Sequence, residues 1–402
     1  MDLPEIIRQT RYKGSRYLRR IAARISPAGA ESTITFPNLG SEKLPSSSPR
    51  ALIIYSSTGI DRYVRGNDMN DPIFNKHTIY WESVEMVKIL NKAGYIVDYC
   101  DVWKQFRVDW NKYTLIIDNL NNLKDAGSIT GQKKIYWATN NHWLPWNRGE
   151  LERTQWFKDR TGIILPTTRQ MPCILSDEYA DYLTYFGTDL QIQSFSSKPK
   201  KELIKISSCH IPDYKKKDMS RARNKFLWIA SGGAMHKGTN LVIEAFSKMP
   251  EAELFIIANL KDEPRFYEWA KKIISQNTNI HEMGWYDLTS KEFDELADGC
   301  IGTLYLSSSC GGPGSTARVL HNGLIPIVTP TGFVRAEHLG YTVNGETADE
   351  IINSTIEKVR EVMSLPEKEL HQKSDAVREF ARKNHTREAF SESFSEFIDK
   401  LQ

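Results

Sequence analysis

The chain has 402 residues, 40% of them hydrophobic and 26% charged, and a formal net charge of +3. This length allows two domains with sizeable cores, and the small net charge gives no indication of nucleic acid binding. The sequence lacks the apolar run of a transmembrane helix and the apolar core of a signal peptide. Its five cysteines are scattered and never in C-x-x-C spacing, which argues against a zinc site and a disulfide framework. These features predict a cytoplasmic protein.

The first fifty residues differ from the rest. Residues 1–25 carry seven basic side chains against two acidic ones, a net charge of +5, and their aliphatic residues can share one helical face. They are predicted to form either a basic amphipathic helix on the inner face of an anionic membrane or a solvated extension. Residues 27–50 are rich in Ser, Pro and Gly, which predicts a linker. The first domain is therefore expected to begin at Ala51.

Strands and helices alternate along residues 51–222, which predicts a parallel sheet in an α/β domain. The apolar runs that predict strands are 51–55, 95–99, 115–118 and 134–138, and residues 79–93 predict a helix. Four tryptophans lie close together in this part of the sequence: Trp137, Trp143, Trp146 and Trp156. Their rings suit stacking on sugar rings, but packing in a core is the commoner use of tryptophan.

A basic, proline-containing stretch separates two strand-and-helix patterns. Residues 198–223 carry nine lysines and arginines, which usually form a solvated surface. This stretch predicts the connection between domains, so the first domain is assigned to 51–222 and the second to 223–385. A charged helix within residues 386–402 ends the chain.

Residues 225–246 join a buried strand, a Gly-rich turn, a lysine and a helix. The apolar run 226–230 predicts the strand, and Gly232 and Gly233 allow a sharp turn after it. Unpaired N–H groups at the start of the helix, with Lys237 nearby, suit an anion such as phosphate. A Walker loop is excluded because the sequence reads Lys-Gly-Thr where Gly-Lys-Ser/Thr is required. An ordinary strand-to-helix turn with a solvated lysine is the alternative.

The same design recurs over residues 300–328. A strand leads into a Ser- and Gly-rich loop, and a helix is predicted to open near Ser315 and Thr316 and to end near Gly323. In a doubly wound sheet both turns lie at the carboxyl ends of strands, where they border the ligand crevice. Two such turns in one domain therefore favour a shared phosphate ligand.

This half of the chain resembles the nucleotide-sugar-binding domain of GT-B-fold glycosyltransferases and is most similar to family 4. The matching segments are the SGGAMHKG turn with the LVIEAF helix, residues 279–285, residues 293–300, the Ser-rich glycine loop and GLIPIVT. The resemblance extends over residues 51–402 and is weaker before the C-terminal half. It implies an α/β fold of two Rossmann-like αβα domains that face a central cleft, with the C-terminal helix crossing back to the first domain.

The resemblance implies a hexosyltransferase that moves a sugar from a UDP- or GDP-sugar to a glycan or lipid-linked acceptor. No cofactor beyond this donor is implied, and no Asp-x-Asp motif is present to carry a metal. The implied catalytic residues are His142 and Lys237. The residues implied to bind the donor are Gly232, Gly233, Lys237, Gly311, Gly312, Gly314, Ser315, Thr316 and Arg318. The residues implied on the acceptor side are Thr58, Gly59 and His77.

These assignments predict a cleft with Lys237 and the 311–316 loop on one wall and His142 and Gly59 on the other. Lys237 is expected to be exposed at the entrance of its helix. At His142 the alternative is a loop histidine without a chemical role, and at His77 it is a capping or surface role.

The sequence departs from the family at three positions. Gly232 stands where an arginine is usual, and Cys310 and Arg318 stand where a pair of glutamates is usual. Arg318 is therefore predicted to meet a phosphate instead of the nucleotide ribose. The resemblance implies a metal-independent, retaining reaction. A catalytically silent nucleotide-sugar-binding protein and a nucleotide-sugar epimerase of the same fold are the alternatives.

Overall fold

The computed structural model describes residues 34–126, 130–213, 215–309, 314–332 and 335–402. The basic segment 1–25, with its predicted helix, lies outside the described residues, as do Cys310, Gly311 and Gly312. None of the helices in the described ranges combines the length and the apolar character that a membrane span requires.

Thirteen strands in the described part of the chain form two sheets. They are β1 (Phe36–Leu39), β2 (Arg50–Tyr55), β3 (Ile96–Asp101), β4 (Leu115–Asp118), β5 (Lys133–Trp137), β6 (Tyr182–Tyr185), β7 (Lys200–Leu203), β8 (Lys225–Ile229), β9 (Glu253–Ile257), β10 (Ile280–Gly284), β11 (Gly302–Tyr305), β12 (Ile325–Val328) and β13 (Tyr341–Thr342). The first sheet has the order β1-β3-β2-β4-β5-β6-β7, with only β1 antiparallel to its neighbour. The second sheet has the order β10-β9-β8-β11-β12-β13 and is wholly parallel.

Helices connect these strands. They are α1 (Thr58–Val64), α2 (Thr78–Lys92), α3 (Trp143–Thr161), α4 (Ser176–Tyr179), α5 (Asp189–Gln193), α6 (Met219–Ala222), α7 (Ala234–Lys237), α8 (Thr239–Phe246), α9 (Pro264–Gln276), α10 (Lys291–Asp298), α11 (Gly314–Leu320), α12 (Ala348–Ser364), α13 (Glu367–Asn384) and α14 (Arg387–Asp399). The order of strands and helices confirms the predicted α/β class with two parallel sheets.

The edge strand β1 corrects the prediction that residues 27–50 are only a linker. It pairs antiparallel with β3, its Phe36 and Leu39 side chains pack against the core of the first sheet, and polar contacts add to this packing. The Asn38 N–H donates to Asp98 Oδ1 at 2.7 Å, and Arg50 donates both to Asn38 Oδ1 and to the Asp98 carboxylate. Asp98 is buried, so these charge-assisted bonds supply the partners that its carboxylate requires.

The basic stretch 198–223 is also more structured than predicted. Its residues Lys200–Leu203 form β7, the last strand of the first sheet. Lys217 is buried rather than solvated and donates to the carbonyl oxygens of Ala297 and Asp298, at the C-terminal end of α10. A lysine there satisfies helix carbonyls that lack partners within the helix. The connection between the two sheets therefore begins only after β7.

Both faces of each sheet are covered. Apolar side chains of α2 and α14 pack on one face of the first sheet. The Trp137 ring of β5 is fully buried there and meets Phe390 and Phe394 of α14 edge-on, with centroids 6.3 and 5.6 Å apart. Core packing, rather than sugar stacking, is thus the role of this tryptophan. In the second sheet α8, α9 and α12 cover one face, and α10 and α11 cover the other.

The first half of the chain carries the first sheet, β1–β7, and the second half carries the second sheet, β8–β13. Helix α3 lies in the first half, but its side chains reach the core of the second sheet. Its Phe157 is fully buried, and the ring packs edge-on against Trp269 of α9 with centroids 5.0 Å apart. Leu165, in the segment after α3, lies in the same core. The two halves are therefore packed together along α3 and the segment that follows it.

Glu82 on α2 is a buried carboxyl group that couples the stability of the first half to pH. The side chain accepts hydrogen bonds from the Ser207 N–H and from Ser207 Oγ, at 3.2 and 2.7 Å. Burial outweighs these bonds and raises the pKa of Glu82 from 4.5 to about 7. The folded state consequently holds a proton between these two values, and stability falls as the pH rises through this window.

We expect Glu82→Gln to remove most of this loss, because the amide keeps an acceptor oxygen for Ser207 and never ionises. Above pH 7 the variant should be more stable than the wild type, by at most about 3 kcal/mol. Urea denaturation over a pH series measures the difference. Glu152→Gln, at a side chain that is 54% exposed, is the control, and its free energy of unfolding should change with pH as in the wild type. If the free energy of unfolding of Glu82→Gln changed with pH as in the wild type, the expected titration of Glu82 would be contradicted.

Candidate functional site

The Gly-rich turn after β8 leads into two short helices rather than one. Gly232 and Gly233 adopt φ values of 87° and 81°, in the left-handed region that favours glycine. Helix α7 ends at Lys237, and Gly238, with φ 75°, separates it from α8. Lys237 is therefore the last residue of a four-residue helix and directly precedes Gly238, the N-cap residue of the longer one.

The prediction that Lys237 is exposed is wrong, because only 8% of the residue is accessible. The reason is the close approach of the segment after β11: a Cβ at Gly238 would overlap the carbonyl oxygen of Leu306. The Lys237 Nζ lies 5.7 Å from the centre of the Tyr305 ring, which suits a cation–π contact. The structure thus places Lys237 beside the end of β11, where the second Gly-rich loop begins.

The amide groups of the first turn already hold an anion from the protein itself. Glu263, which lies between β9 and α9, accepts from the Gly233 N–H at 2.7 Å and from the Ala234 N–H at 3.1 Å. Gly233 was predicted to contact the phosphate, and Ala234 was not. Because the carboxylate occupies both amides, a phosphate reaches these two N–H groups only if Glu263 moves.

The loop after β11 contacts both the turn after β8 and the first half. The Ser308 N–H donates to the carbonyl oxygen of His236 at 2.8 Å. The Asn141 Nδ2 donates to Ser309 Oγ at 2.9 Å, which joins the segment after β5 to the segment after β11. Both segments follow the carboxyl ends of parallel strands. The carboxyl ends of the two sheets therefore meet at this point.

The start of α11 lies close to the start of α2. A Cβ at Gly314 would be 3.8 Å from Thr78 Cγ2, so this glycine sits against the first turn of α2. Ser315 is half-buried, and Thr316 is 3% exposed. Gly314 and Ser315 thus lie between the halves, close to the predicted acceptor-side residue His77.

The predicted first-half residues have clear local roles. His77 and His142 cap α2 and α3: the His77 Nδ1 accepts from the Ile79 N–H at 3.2 Å, and the His142 Nδ1 accepts from the Leu144 N–H at 3.4 Å. Gly59 is required because a Cβ there would overlap the carbonyl oxygen of Tyr80, so that α1 packs directly on α2. Thr58 is exposed at the first residue of α1.

The His142 ring packs within the first half. It lies edge-on to Phe195, with centroids 5.8 Å apart, and beside Trp143. Burial lowers the pKa of His142, although Asp177 and Glu178 act in the opposite direction. The ring makes no hydrogen bond or ring contact with the described residues of the second half, whereas its neighbour Asn141 bonds Ser309 there. The catalytic role of His142 stays a prediction.

Arg318 is fully buried and serves the packing of α10 and α11. Its Nε donates to the Leu288 carbonyl oxygen at 2.9 Å, its Nη1 donates to Asn322 Oδ1 at 2.7 Å, and its Nη2 pairs with Asp294. Burial raises the pKa of Asp294, but the contacts with His210 and Arg318 outweigh it and hold the pKa below its ordinary value. Because these three partners occupy the guanidinium, the structure does not support the predicted phosphate contact of Arg318.

The residues of α3 that meet the second half were not predicted as site residues. The Trp146 ring contacts the His236 ring at an interplanar angle of 35°, with centroids 4.0 Å apart, and Arg153 donates to the carbonyl oxygen of Leu306. His236 is fully buried; burial, and then Arg169, lower its pKa to about 3, so the ring is neutral near pH 7. The sequence signal is faint: Gly149 sits inside α3, where a Cβ would come within 2.9 Å of Ser308.

Among the described residues, no group of three His, Cys, Asp or Glu side chains is placed to hold a metal ion. The arrangement instead offers cations and hydroxyl groups around the meeting point of the two sheets, which are groups that bind phosphate oxygens. Metal independence stays a prediction.

The sequence matches no protein-family model and no curated protein. The structure is similar to that of sucrose-phosphate synthase from Thermosynechococcus elongatus, with a TM-score of 0.56 at 11% identity over 88% of this chain and 99% of that one. A glycosyltransferase from Rickettsia africae gives a TM-score of 0.52 at 11% identity over 88% and 98% of the two chains. HepE from Anabaena, in complex with UDP and glucose, gives 0.51 at 11% identity over 87% and 100%. The chain therefore has the GT-B fold.

Proposed function

We propose that this protein is a glycosyltransferase that moves a hexose from a nucleoside diphosphate sugar to a glycan or lipid-linked acceptor. The observation that carries the proposal is the meeting of two parallel sheets at their carboxyl ends, where Asn141 bonds Ser309 across the halves. Ligands of such sheets bind at this edge. The shared fold with HepE, which was solved with UDP and glucose, supports a nucleotide-sugar donor.

The chemistry requires stabilisation of the departing diphosphate, because negative charge develops on its oxygens as the glycosidic bond breaks. We assign this task to Lys237, whose buried position makes an electrostatic contact stronger than it would be in water. The start of α11, with Gly314, Ser315 and Thr316, is the second proposed contact with the donor. A metal-independent, retaining reaction and a donor-sugar contact of His142 belong to the proposal, as do donor contacts of Gly311 and Gly312, which lie outside the described residues.

A catalytically silent nucleotide-sugar-binding protein is the second candidate. Two observations favour it: Glu263 occupies the amides of Gly233 and Ala234, and Arg318 is committed to Asp294 where the family has a ribose-binding glutamate. Such a protein would bind the donor without stabilising the transition state, and binding of that kind gives no acceleration. Membrane attachment through residues 1–25 is a further part of the proposal, supported by charge alone.

A panel of UDP- and GDP-sugars tests the proposed function on the full chain. Transfer to an acceptor, or slow hydrolysis of one donor, is the expected result. Binding without turnover would favour the silent protein, and an epimerised donor would favour an epimerase. Failure of every member of the panel to bind would remove the nucleotide-sugar proposal altogether.

A further inference from the structure

A first-half arginine lies on the Gly-rich turn of the second half. Arg169, in the segment after α3, passes so close to Gly233 that a Cβ on this glycine would overlap Arg169 Cγ. The Arg169 guanidinium lies 5.8 Å from the centre of the Trp146 ring, which supports it from the first half. The side chain thus spans from α3 to the turn after β8.

The backbone of Arg169 is fixed by a buried carboxylate. Glu150 on α3 is only 1% exposed and accepts from the N–H groups of Thr168 and Arg169, at 2.7 and 2.9 Å. The Arg169 carbonyl oxygen accepts from Trp146 Nε1 at 2.6 Å. A buried carboxylate is costly unless it is fully hydrogen-bonded, so these contacts define the position of the segment.

The Arg169 guanidinium has no partner of opposite charge among the described residues. It is half-buried and makes no hydrogen bond or ion pair with a described residue. A cation in such a place is usually paired. A fixed backbone with a guanidinium that pairs with no described carboxylate is the arrangement expected of a side chain that binds an anionic ligand.

Other cations converge on the same place. Arg169, Lys237 and Arg153 all lie close enough to His236 to lower its pKa. Arg153 is committed to the Leu306 carbonyl oxygen, and Glu263 is the carboxylate that contacts the turn. Like charges in a water-poor region repel one another, and an anion with more than one charge relieves this repulsion. The local charge therefore favours a diphosphate.

We propose that Arg169 contacts the diphosphate of the nucleotide donor and supplies the cation that is missing at Gly232. The inference rests on the proposed function and adds to it a contact made by the first half. Arg169 and Lys237 come from opposite halves, so a bound diphosphate would link the two halves directly.

Titration calorimetry with UDP and GDP, and with uridine and guanosine, tests the assignment on the full chain. Arg169→Ala should weaken binding of the preferred nucleoside diphosphate roughly 10–100-fold, the range for one charge-assisted contact. Binding of the matching nucleoside, which lacks the diphosphate, should be unchanged. Arg169→Lys should recover part of the affinity, because it keeps the charge but not the planar fork.

Arg148→Ala is the matched control, because this arginine of α3 has a side chain that is 71% exposed. It should bind both nucleoside diphosphates with wild-type affinity. Wild-type affinity of Arg169→Ala for the diphosphate would overturn the Arg169 assignment and leave the proposed function standing. Equal losses for nucleoside and diphosphate would also overturn it, since they indicate a structural role. A wild-type protein that binds neither UDP nor GDP would overturn both proposals.

Discussion

Replacing Lys237 by alanine is expected to lower donor turnover roughly 10²–10³-fold, the loss found when one preorganised electrostatic donor is removed. The expectation follows from the proposed task of Lys237, which is to neutralise charge on the departing diphosphate. Lys237→Arg should restore only part of the activity, because a planar guanidinium does not occupy the place of a compact ammonium. Donor turnover is measured beside a thermal unfolding curve for each variant.

The burial of Lys237 changes the design of this experiment. The residue is 8% exposed, so the alanine variant also loses buried side-chain contacts and is expected to unfold at a lower temperature. Lys237→Met keeps most of the aliphatic stem and removes only the charge, so its loss of turnover reports on the charge alone. Lys248→Ala, at an exposed lysine of the same half, is the control. Near-normal turnover of a folded Lys237→Met variant would contradict the proposed role.

The central strands were predictable because they are buried on both faces. The prediction for β4 coincides with Leu115–Asp118, and the prediction for β2 differs by one residue. Such strands appear as short continuous apolar runs. The edge strands β1 and β7 carry no such signal, since one consists of FPNL and the other of KKEL. Backbone pairing, polar contacts and single apolar side chains hold them, among them Phe36, Leu39 and Leu203, and so few apolar residues form no pattern.

The candidate site was predictable only where it depends on local sequence. The positive φ values of Gly232 and Gly233 follow from the turn between β8 and α7. Glu263 reaches the same turn from thirty positions further along the chain, and Arg169 reaches it from the other half. The burial of Lys237 likewise depends on Leu306. The packing of helices and sheets determines these contacts between distant residues, so no local sequence motif predicts them.

Arg318→Met is expected to lower the free energy of unfolding by about 3–5 kcal/mol, the cost of removing one partner of a buried ion pair. The change leaves the Asp294 carboxylate, 15% exposed, with His210 Nε2 at 3.0 Å as its remaining side-chain partner among the described residues. It also removes the donors to the Leu288 carbonyl oxygen and to Asn322 Oδ1. Urea denaturation measures the loss. Arg360→Ala, at a side chain that is 55% exposed and pairs with Glu251, is the control and should cost at most about 1 kcal/mol.

The same variant separates a structural role of Arg318 from a contact with the donor. If Arg318 only packs α10 and α11 together, the folded Arg318→Met variant should bind UDP or GDP with wild-type affinity. Adding Asp294→Leu should recover part of the lost stability, because the double variant leaves no unpaired carboxylate beside the core. If Arg318→Met had wild-type stability but bound the nucleotide more weakly, the result would instead support the predicted contact between Arg318 and a phosphate. Comparison of Arg318→Met with Lys237→Met thus distinguishes a charge needed for the fold, at Arg318, from a charge needed for the reaction, at Lys237.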